Sequence, residues 1–112
     1  MSEKEIQNEI LRTYGTRADM LLIRMNAGVA QYADPKRFVR FAPKGYPDIQ
    51  GVLNGGKTIY IECKSKTGRQ TPEQAAFQRT VEALGAIYIL ARSVADVENR
   101  LKKETPAEPE GE

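Results

Sequence analysis

Apolar side chains recur at helical spacing in three parts of the chain, and each part begins with a residue that favours a helix N-cap. The first predicted helix begins after Ser2 and ends by Gly15. Its buried face is marked by Ile6, Ile10 and Tyr14. The other two predicted helices run from the Thr71 cap to Gly85 and from the Ser93 cap to about Lys102.

Apolar runs that are too short for independent helices predict five β-strands. Residues 28–36 are expected to be irregular, with a turn at Asp34-Pro35. Asn54-Gly55-Gly56 is typical of a hairpin turn. The predicted strands are Met20–Asn26, Arg37–Phe41, Asp48–Leu53, Lys57–Lys64 and Ala86–Leu90.

The order of these elements predicts a mixed β-sheet flanked by helices. A helix lies between the last two strands, so this pair is expected to be parallel with a right-handed crossover, and the earlier pairs antiparallel. The predicted fold is an α/β domain of order αββββαβα over residues 1–103. Residues 104–112 are rich in Pro and Glu and are expected to form a disordered acidic tail.

Composition excludes several kinds of site. The chain has 112 residues, a net charge of +2, one cysteine and no histidine. These counts exclude an internal disulfide framework, histidine-dependent triads and most zinc sites. Any metal must be held by oxygen, which favours magnesium, manganese or calcium. We expect a cytoplasmic protein with no membrane contact, because neither a signal-peptide pattern nor a membrane-spanning apolar run is visible.

Three charged side chains, Asp48, Glu62 and Lys64, lie in or beside the predicted hairpin. Strand interiors usually exclude such residues. Any short turn over residues 54–56 places Asp48 across from Glu62 or one of its two neighbours. Glu62 and Lys64 are two residues apart and share one face of the strand. Two neighbouring carboxylates repel each other unless a cation lies between them, so the hairpin predicts a metal site.

The predicted chemistry is hydrolysis of a phosphodiester. Asp48, Glu62 and the backbone carbonyl of Cys63 are expected to hold Mg²⁺ or Mn²⁺, which polarises a phosphate and lowers the pKa of a bound water. Lys64 would position or help to deprotonate that water and stabilise the developing negative charge. The Cys63 thiol itself is interpreted as a small buried hydrophobe.

These residues belong to a longer, ordered series of motifs. The series is Glu3-x-x-Ile6-Gln7, Arg24-x-Asn26-x-Gly28, Gly45-x-Pro47-Asp48, Ile61-Glu62-Cys63-Lys64 and Gln74. It resembles the VRR-NUC (virus-type replication-repair nuclease) branch of the PD-(D/E)xK nucleases. The resemblance covers roughly residues 2 to 92.

This resemblance implies a restriction-endonuclease-like core and metal-dependent cleavage of DNA. It implies that Asp48 and Glu62 are metal ligands and that Lys64 is catalytic. Glu3, as a further metal ligand, and Gln74 would complete the site. Similar small, phage-encoded nucleases form homodimers and act on branched DNA such as four-way junctions, so a homodimer that binds branched or duplex DNA is expected.

The outer residues of the predicted site also fit structural roles. A carboxylate such as Glu3 interacts favourably with the N-terminal end of a helix dipole, and Gln74 can complete a capping box with Thr71. Positively charged or polar residues near the site are predicted to contact DNA phosphates, although any of them could be a solvated surface residue. These are Arg24, Asn26, Arg37, Arg40, Lys44, Lys66 and Arg69.

Two other functions compete with the endonuclease. A DNA-binding module of the same fold without catalysis would bind DNA with a strong salt dependence and show no turnover. A protein with a purely structural metal site would bind metal but not DNA.

Overall fold

The structure is a computed structural model that describes residues 1–25 and 44–104 in full and the backbone of residues 29–31 and 38–40. Along this part of the chain, one helix is followed by five strands, a second helix, a sixth strand and a third helix. The helices are α1 (Glu3–Tyr14), α2 (Pro72–Ala83) and α3 (Val94–Glu104). The strands are β1 (Met20–Arg24), β2 (Val29–Gln31), β3 (Phe38–Arg40), β4 (Ile49–Leu53), β5 (Thr58–Cys63) and β6 (Ile87–Ala91).

Four of the strands form one mixed sheet in the order β1-β4-β5-β6. The β1–β4 and β4–β5 pairs are antiparallel, and a 3₁₀ turn over Asn54–Gly56 joins β4 to β5. β5 and β6 are parallel and are connected through α2. The predicted α/β class, the hairpin and the parallel crossover pair are therefore confirmed.

The segment between β1 and β4 differs from the prediction. β2 lies in a stretch that was expected to be irregular, and it pairs antiparallel with β3. β3 is consequently part of a separate two-stranded sheet and does not join the main sheet. Each strand has only three residues, too few for an alternating pattern to identify β2. The predicted turn at Asp34-Pro35 lies outside the described residues.

One face of the central strand β5 forms the hydrophobic core. Ile59, Ile61 and Cys63 are almost fully buried on this face, as their alternation predicts. They pack in one cluster with Ile6 and Ile10 of α1. The core therefore fixes β5, and with it the charged side chains on the opposite face.

The opposite face of β5 is covered by aromatic packing against α2. Tyr60 of β5 lies edge-on to Phe77 of α2, with 5.2 Å between ring centroids. Tyr46 contacts both rings, at 6.0 Å from Tyr60 and 5.0 Å from Phe77. Tyr46 thus has a structural packing role. The cluster holds α2 beside the C-terminal end of β5.

Helix ends follow the capping signals closely. Ser2 and Glu5 form a capping box at α1, and Gly15 is its C-cap. α3 extends to Glu104, two residues beyond the predicted end, with an ion pair of 2.8 Å between Arg100 Nε and Glu104 Oε2 in its last turns. Glu104, predicted to begin the tail, is therefore the last residue of α3, and residues 105–112 lie outside the described part.

In the described ranges, no helix has the length and hydropathy needed to cross a membrane.

Candidate active site

Asp48 and Glu62 are brought together where the β4–β5 hairpin opens. Ile49 pairs with Ile61, so the next residues along the ladder are Asp48 and Glu62. The backbone N–H of Cys63 donates to Asp48 Oδ2 at 2.8 Å. This hydrogen bond ties the Asp48 carboxylate to β5, as the register argument predicts.

Glu62 is a buried carboxylate whose hydrogen bonding is incomplete. Its exposed fraction is 2%, and among the described residues its Oε1 atom has no hydrogen-bond partner. Burial, followed by the negative charge of Asp48, raises the pKa of Glu62 to about 8. A buried, unpartnered carboxylate oxygen is costly, so the site favours a proton or a cation at this position.

Lys64 lies on the same face as Glu62. Its Nζ atom is 3.6 Å from Glu62 Oε2, and the residue is 8% exposed. The positive charge of Lys64 opposes the rise in the pKa of Glu62 but does not cancel it. Removing one member of such a buried pair leaves an uncompensated charge, so the two side chains depend on each other.

Gln74 completes the predicted capping box and also contacts Glu62. Its Oε1 atom accepts from the Thr71 backbone N–H at 2.9 Å, which completes the capping box of α2. Its Nε2 atom donates to Glu62 Oε2 at 3.2 Å. Because a backbone N–H requires an acceptor, the capping bond orients the amide with its N–H₂ end toward Glu62.

Glu3 lies at the edge of this arrangement. It is the first residue of α1 and is exposed. Its charge is the smallest of the contributions that raise the pKa of Glu62. In the described ranges, no group of three or more His, Cys, Asp or Glu residues could hold a metal ion. The structure therefore places Glu3 near the two central carboxylates without joining it to them in a three-residue cluster.

The Cys63 carbonyl points to the same side of β5 as Asp48. The described peptide bonds are trans, so this carbonyl and the N–H of Lys64 point in opposite directions. The Lys64 N–H donates to the Ala91 carbonyl of β6 at 3.0 Å, which directs the Cys63 carbonyl away from β6. The thiol is on the core face, where burial raises its pKa to about 12, so it is not a nucleophile.

This donor set fits a hard divalent cation. It offers the carboxylates of Asp48 and Glu62 and the Cys63 carbonyl, all oxygen donors. Magnesium is typically held by only one or two protein carboxylates, its other positions going to water and phosphate. The unpartnered Oε1 atom of Glu62 is the observation that supports this fit.

Gly45 allows the loop before Asp48 to pass close to α2. Its φ angle is +87°, which side chains rarely adopt. A Cβ atom at this position would lie 2.5 Å from the Glu73 carbonyl oxygen. Pro47, two residues on, is fully buried. Packing thus explains the Gly-x-Pro-Asp motif, because the close approach of Gly45 and the burial of Pro47 place Asp48 next to the first turn of α2.

The predicted DNA contacts have varied surroundings. Arg24 donates to Asn8 of α1, and Lys44 pairs with Glu73 at 3.3 Å. Lys66 and Arg69 are exposed on the loop that follows β5. The structure does not describe Asn26, Arg37 or the Arg40 side chain.

Two residues with structural roles were missed from the sequence. Asn8 holds the Arg24 guanidinium, and Arg92 donates to carbonyls of the loop after β5. The sequence around Asn8 does not indicate this role, since its partner is sixteen residues away. The position of Arg92 is a weak indication of its role, because it directly follows β6, the strand that is parallel to β5.

Comparison with known proteins identifies the fold. No protein-family model and no curated protein matches the chain. A solved structure described as "VRR_NUC domain" is similar with a TM-score of 0.66 and 15% sequence identity, over 94% of this chain and 100% of that one. At this identity the similarity carries the architecture rather than the chemistry. We conclude that the chain has the fold of a VRR-NUC domain, as the resemblance of its motifs predicts.

Proposed function

We propose that the protein is a metal-dependent DNA endonuclease that hydrolyses phosphodiester bonds. The observation that carries the proposal is the buried Oε1 atom of Glu62, which has no hydrogen-bond partner within residues 1–25 and 44–104. It lies beside Asp48, with the Lys64 ammonium on the same face. This combination is energetically unfavourable by itself and suits a cation with a phosphate beside it. The fold and the motif series support the same conclusion.

Three oxygen donors would hold the cation: Asp48, Glu62 and the Cys63 carbonyl. Bound Mg²⁺ or Mn²⁺ supplies Lewis-acid polarisation of the phosphate and a water of lowered pKa. Asp48 is oriented for this role by the Cys63 N–H, and Glu62 by the Gln74 amide. Glu3, at the start of α1, is proposed as a further ligand of the cation.

Lys64 would act on the reacting phosphate. Its ammonium carries three N–H donors and can hold the attacking water and a non-bridging phosphate oxygen. The water oxygen forms a bond to phosphorus, the bond to one bridging oxygen breaks, and the proton that the water gives up passes to the leaving oxygen. A fixed positive charge at this point stabilises the extra negative charge of the transition state.

The proposed substrate is branched DNA, such as a four-way junction, cut by a homodimer. Two copies related by a twofold axis would present two active sites to two strands. The family resemblance supports this, and exposed Lys66 and Arg69 beside the site could contact the backbone. A monomeric mass by sedimentation, with and without junction DNA, would contradict the dimer.

The test is cleavage of four-way junctions, flaps and plain duplex with Mg²⁺ or Mn²⁺. We expect cutting that EDTA abolishes and that Lys64→Ala lowers by at least about 100-fold, since a charge aimed at the transition state is lost. Lys102→Ala is the matched control, because Lys102 also faces a carboxylate, Glu98 at 3.8 Å, but on α3.

Failure of the wild-type protein to cut any of these substrates with either metal would overturn the proposal. Salt-dependent DNA binding without cutting would then favour the non-catalytic module. Equal loss in Lys64→Ala and Lys102→Ala would remove Lys64 from its proposed role.

A further inference from the structure

Arg92 makes a concentrated set of contacts with the loop that follows β5. Its Nη1 atom lies 2.6 Å from the Ser65 carbonyl oxygen, 2.8 Å from that of Gly68 and 3.3 Å from that of Lys66. One guanidinium nitrogen is thus at the centre of three carbonyl oxygens from a four-residue segment. A charged donor strengthens such bonds relative to a neutral one.

The Arg92 backbone is itself anchored. Its N–H donates to Asp96 Oδ2 of α3 at 2.8 Å. The preceding residue, Ala91, accepts the Lys64 N–H at 3.0 Å in the parallel β5–β6 pair. The arginine therefore extends from a fixed point next to the lysine backbone, and its side chain reaches over the loop.

The loop in turn lies beside the side chain of Lys64. Its turn is closed by the Gly68 N–H, which donates to the Ser65 carbonyl at 3.1 Å and to Ser65 Oγ at 3.2 Å. A Cβ atom on Gly68 would lie only 3.5 Å from Lys64 Cδ. The backbone held by Arg92 thus passes close beside the aliphatic stem of Lys64, which is itself buried.

This proximity matters because a lysine side chain has many rotamers and its ammonium is a compact, strongly hydrated charge. In the proposed mechanism, the Nζ atom must lie within hydrogen-bonding distance of both Glu62 and the phosphate. A loop held close beside the stem limits the space that is open to its rotamers. Small displacements of a reacting group cost large factors in rate.

We propose that Arg92 is a positioning residue for Lys64. By binding the Ser65, Lys66 and Gly68 carbonyls, it holds the Ser65–Gly68 turn beside the lysine stem and so keeps Nζ facing Glu62. This inference rests on the proposed endonuclease function and deepens it. Arg92 itself does not touch the reacting atoms.

The test compares Arg92→Ala, Arg92→Lys and Arg100→Ala. Arg100 is a matched control, because it also donates to a backbone carbonyl, that of Tyr88 at 3.3 Å, but away from the loop. A lysine at position 92 can still direct several N–H donors from one nitrogen to the carbonyls. The readouts are the single-turnover cleavage rate at saturating junction DNA with Mn²⁺, and hydrogen exchange of the Gly68 amide without metal or DNA.

We expect Arg92→Ala to cut about 10- to 100-fold more slowly at saturating DNA, with faster exchange at Gly68. Arg92→Lys should recover most of the rate and slow the exchange, and Arg100→Ala should match the wild type in both. A purely stabilising arginine would leave the saturated rate unchanged below the unfolding temperature.

Two results would overturn the inference. One is wild-type cutting by Arg92→Ala. The other is slow cutting by both Arg92 variants with unchanged Gly68 exchange, which would make Arg92 a direct DNA contact. If the wild type cuts no DNA, the proposed function fails. Unchanged Gly68 exchange in Arg92→Ala would then still show that Arg92 does not hold the Ser65–Gly68 turn. If Arg92→Ala does not fold, Arg92→Lys against Arg92→Gln supplies the same comparison.

Discussion

At the scale of single residues, one amide side chain joins the first turn of α2 to the buried carboxylate. Gln74 accepts from Thr71 with its oxygen and donates to Glu62 with its nitrogen. A residue chosen only as a helix cap could be Glu as well as Gln. Here an amide satisfies two unlike partners, one a backbone donor and the other a carboxylate.

The two tasks of Gln74 can be separated by mutation. We expect Gln74→Ala and Thr71→Ala each to lower the free energy of unfolding by about 1 kcal/mol, because each breaks the capping box. Only Gln74→Ala should also slow DNA cleavage, since Thr71 has no bond to Glu62. Urea unfolding and cleavage rates measure the two effects. Equal slowing in both variants would mean that Gln74 acts through the helix alone.

At the scale of elements, the loop before β4 and the first turn of α2 approach each other within van der Waals distance. Gly45 lies against the backbone of Glu73 and Gln74, while Lys44 pairs with Glu73 at 3.3 Å. The same turn of α2 carries the amide that reaches Glu62. The position of Asp48 and that of Gln74 are therefore set by one contact between a loop and a helix.

Gly45→Ala tests this contact. We expect a loss of roughly 2 kcal/mol or more in unfolding free energy, because the left-handed backbone costs about 1–2 kcal/mol and the clash with α2 adds to it. Gly55→Ala is the control: its φ is +85°, but a Cβ atom there meets nothing within 4 Å. It should cost only the backbone part. Equal losses in urea unfolding would show that the close approach contributes nothing.

At the scale of the whole molecule, the buried carboxylate links stability to pH. The pKa of Glu62 is raised in the folded protein, so the folded state binds a proton more tightly than the unfolded chain. Stability from this group is complete below its unfolded pKa of 4.5 and is lost as the pH rises to about 8. The slope is at most about 1.4 kcal/mol per pH unit.

We expect the unfolding free energy in EDTA to fall across this pH window, and Glu62→Gln to remove most of the fall. Glu82→Gln, an exposed change on α2, should leave it intact. Saturating Mn²⁺ should also flatten the wild-type profile, because a cation stabilises the ionised carboxylate. Chemical unfolding from pH 5 to pH 8 gives the measurement. A wild-type profile that is flat in EDTA would contradict the raised pKa.

The sequence predicts the main sheet well because its signals are local. The short turn at Asn54–Gly56 limits the register and so makes Asp48 and Glu62 neighbours. The helix after β5 implies the parallel partner. β2 is missed because a three-residue strand paired to another short strand leaves no periodicity. The hydrogen bonds from Arg92 to the loop after β5 are missed because their acceptors are 24 to 27 residues away along the chain.

The last rung between β1 and β4 has a consequence for how the fold can vary. Met25 N–H donates to the Asp48 carbonyl at 2.7 Å, so the chain leaves the sheet and returns to it at the same point, next to a proposed ligand. Gly45 and Tyr46 lie between these two residues and pack against α2, so they are a fixed part of the site. A change of length within residues 26–43 leaves that packing in place and costs little more than loop-closure entropy, which grows only slowly with length. We therefore expect the candidate site to tolerate such a change.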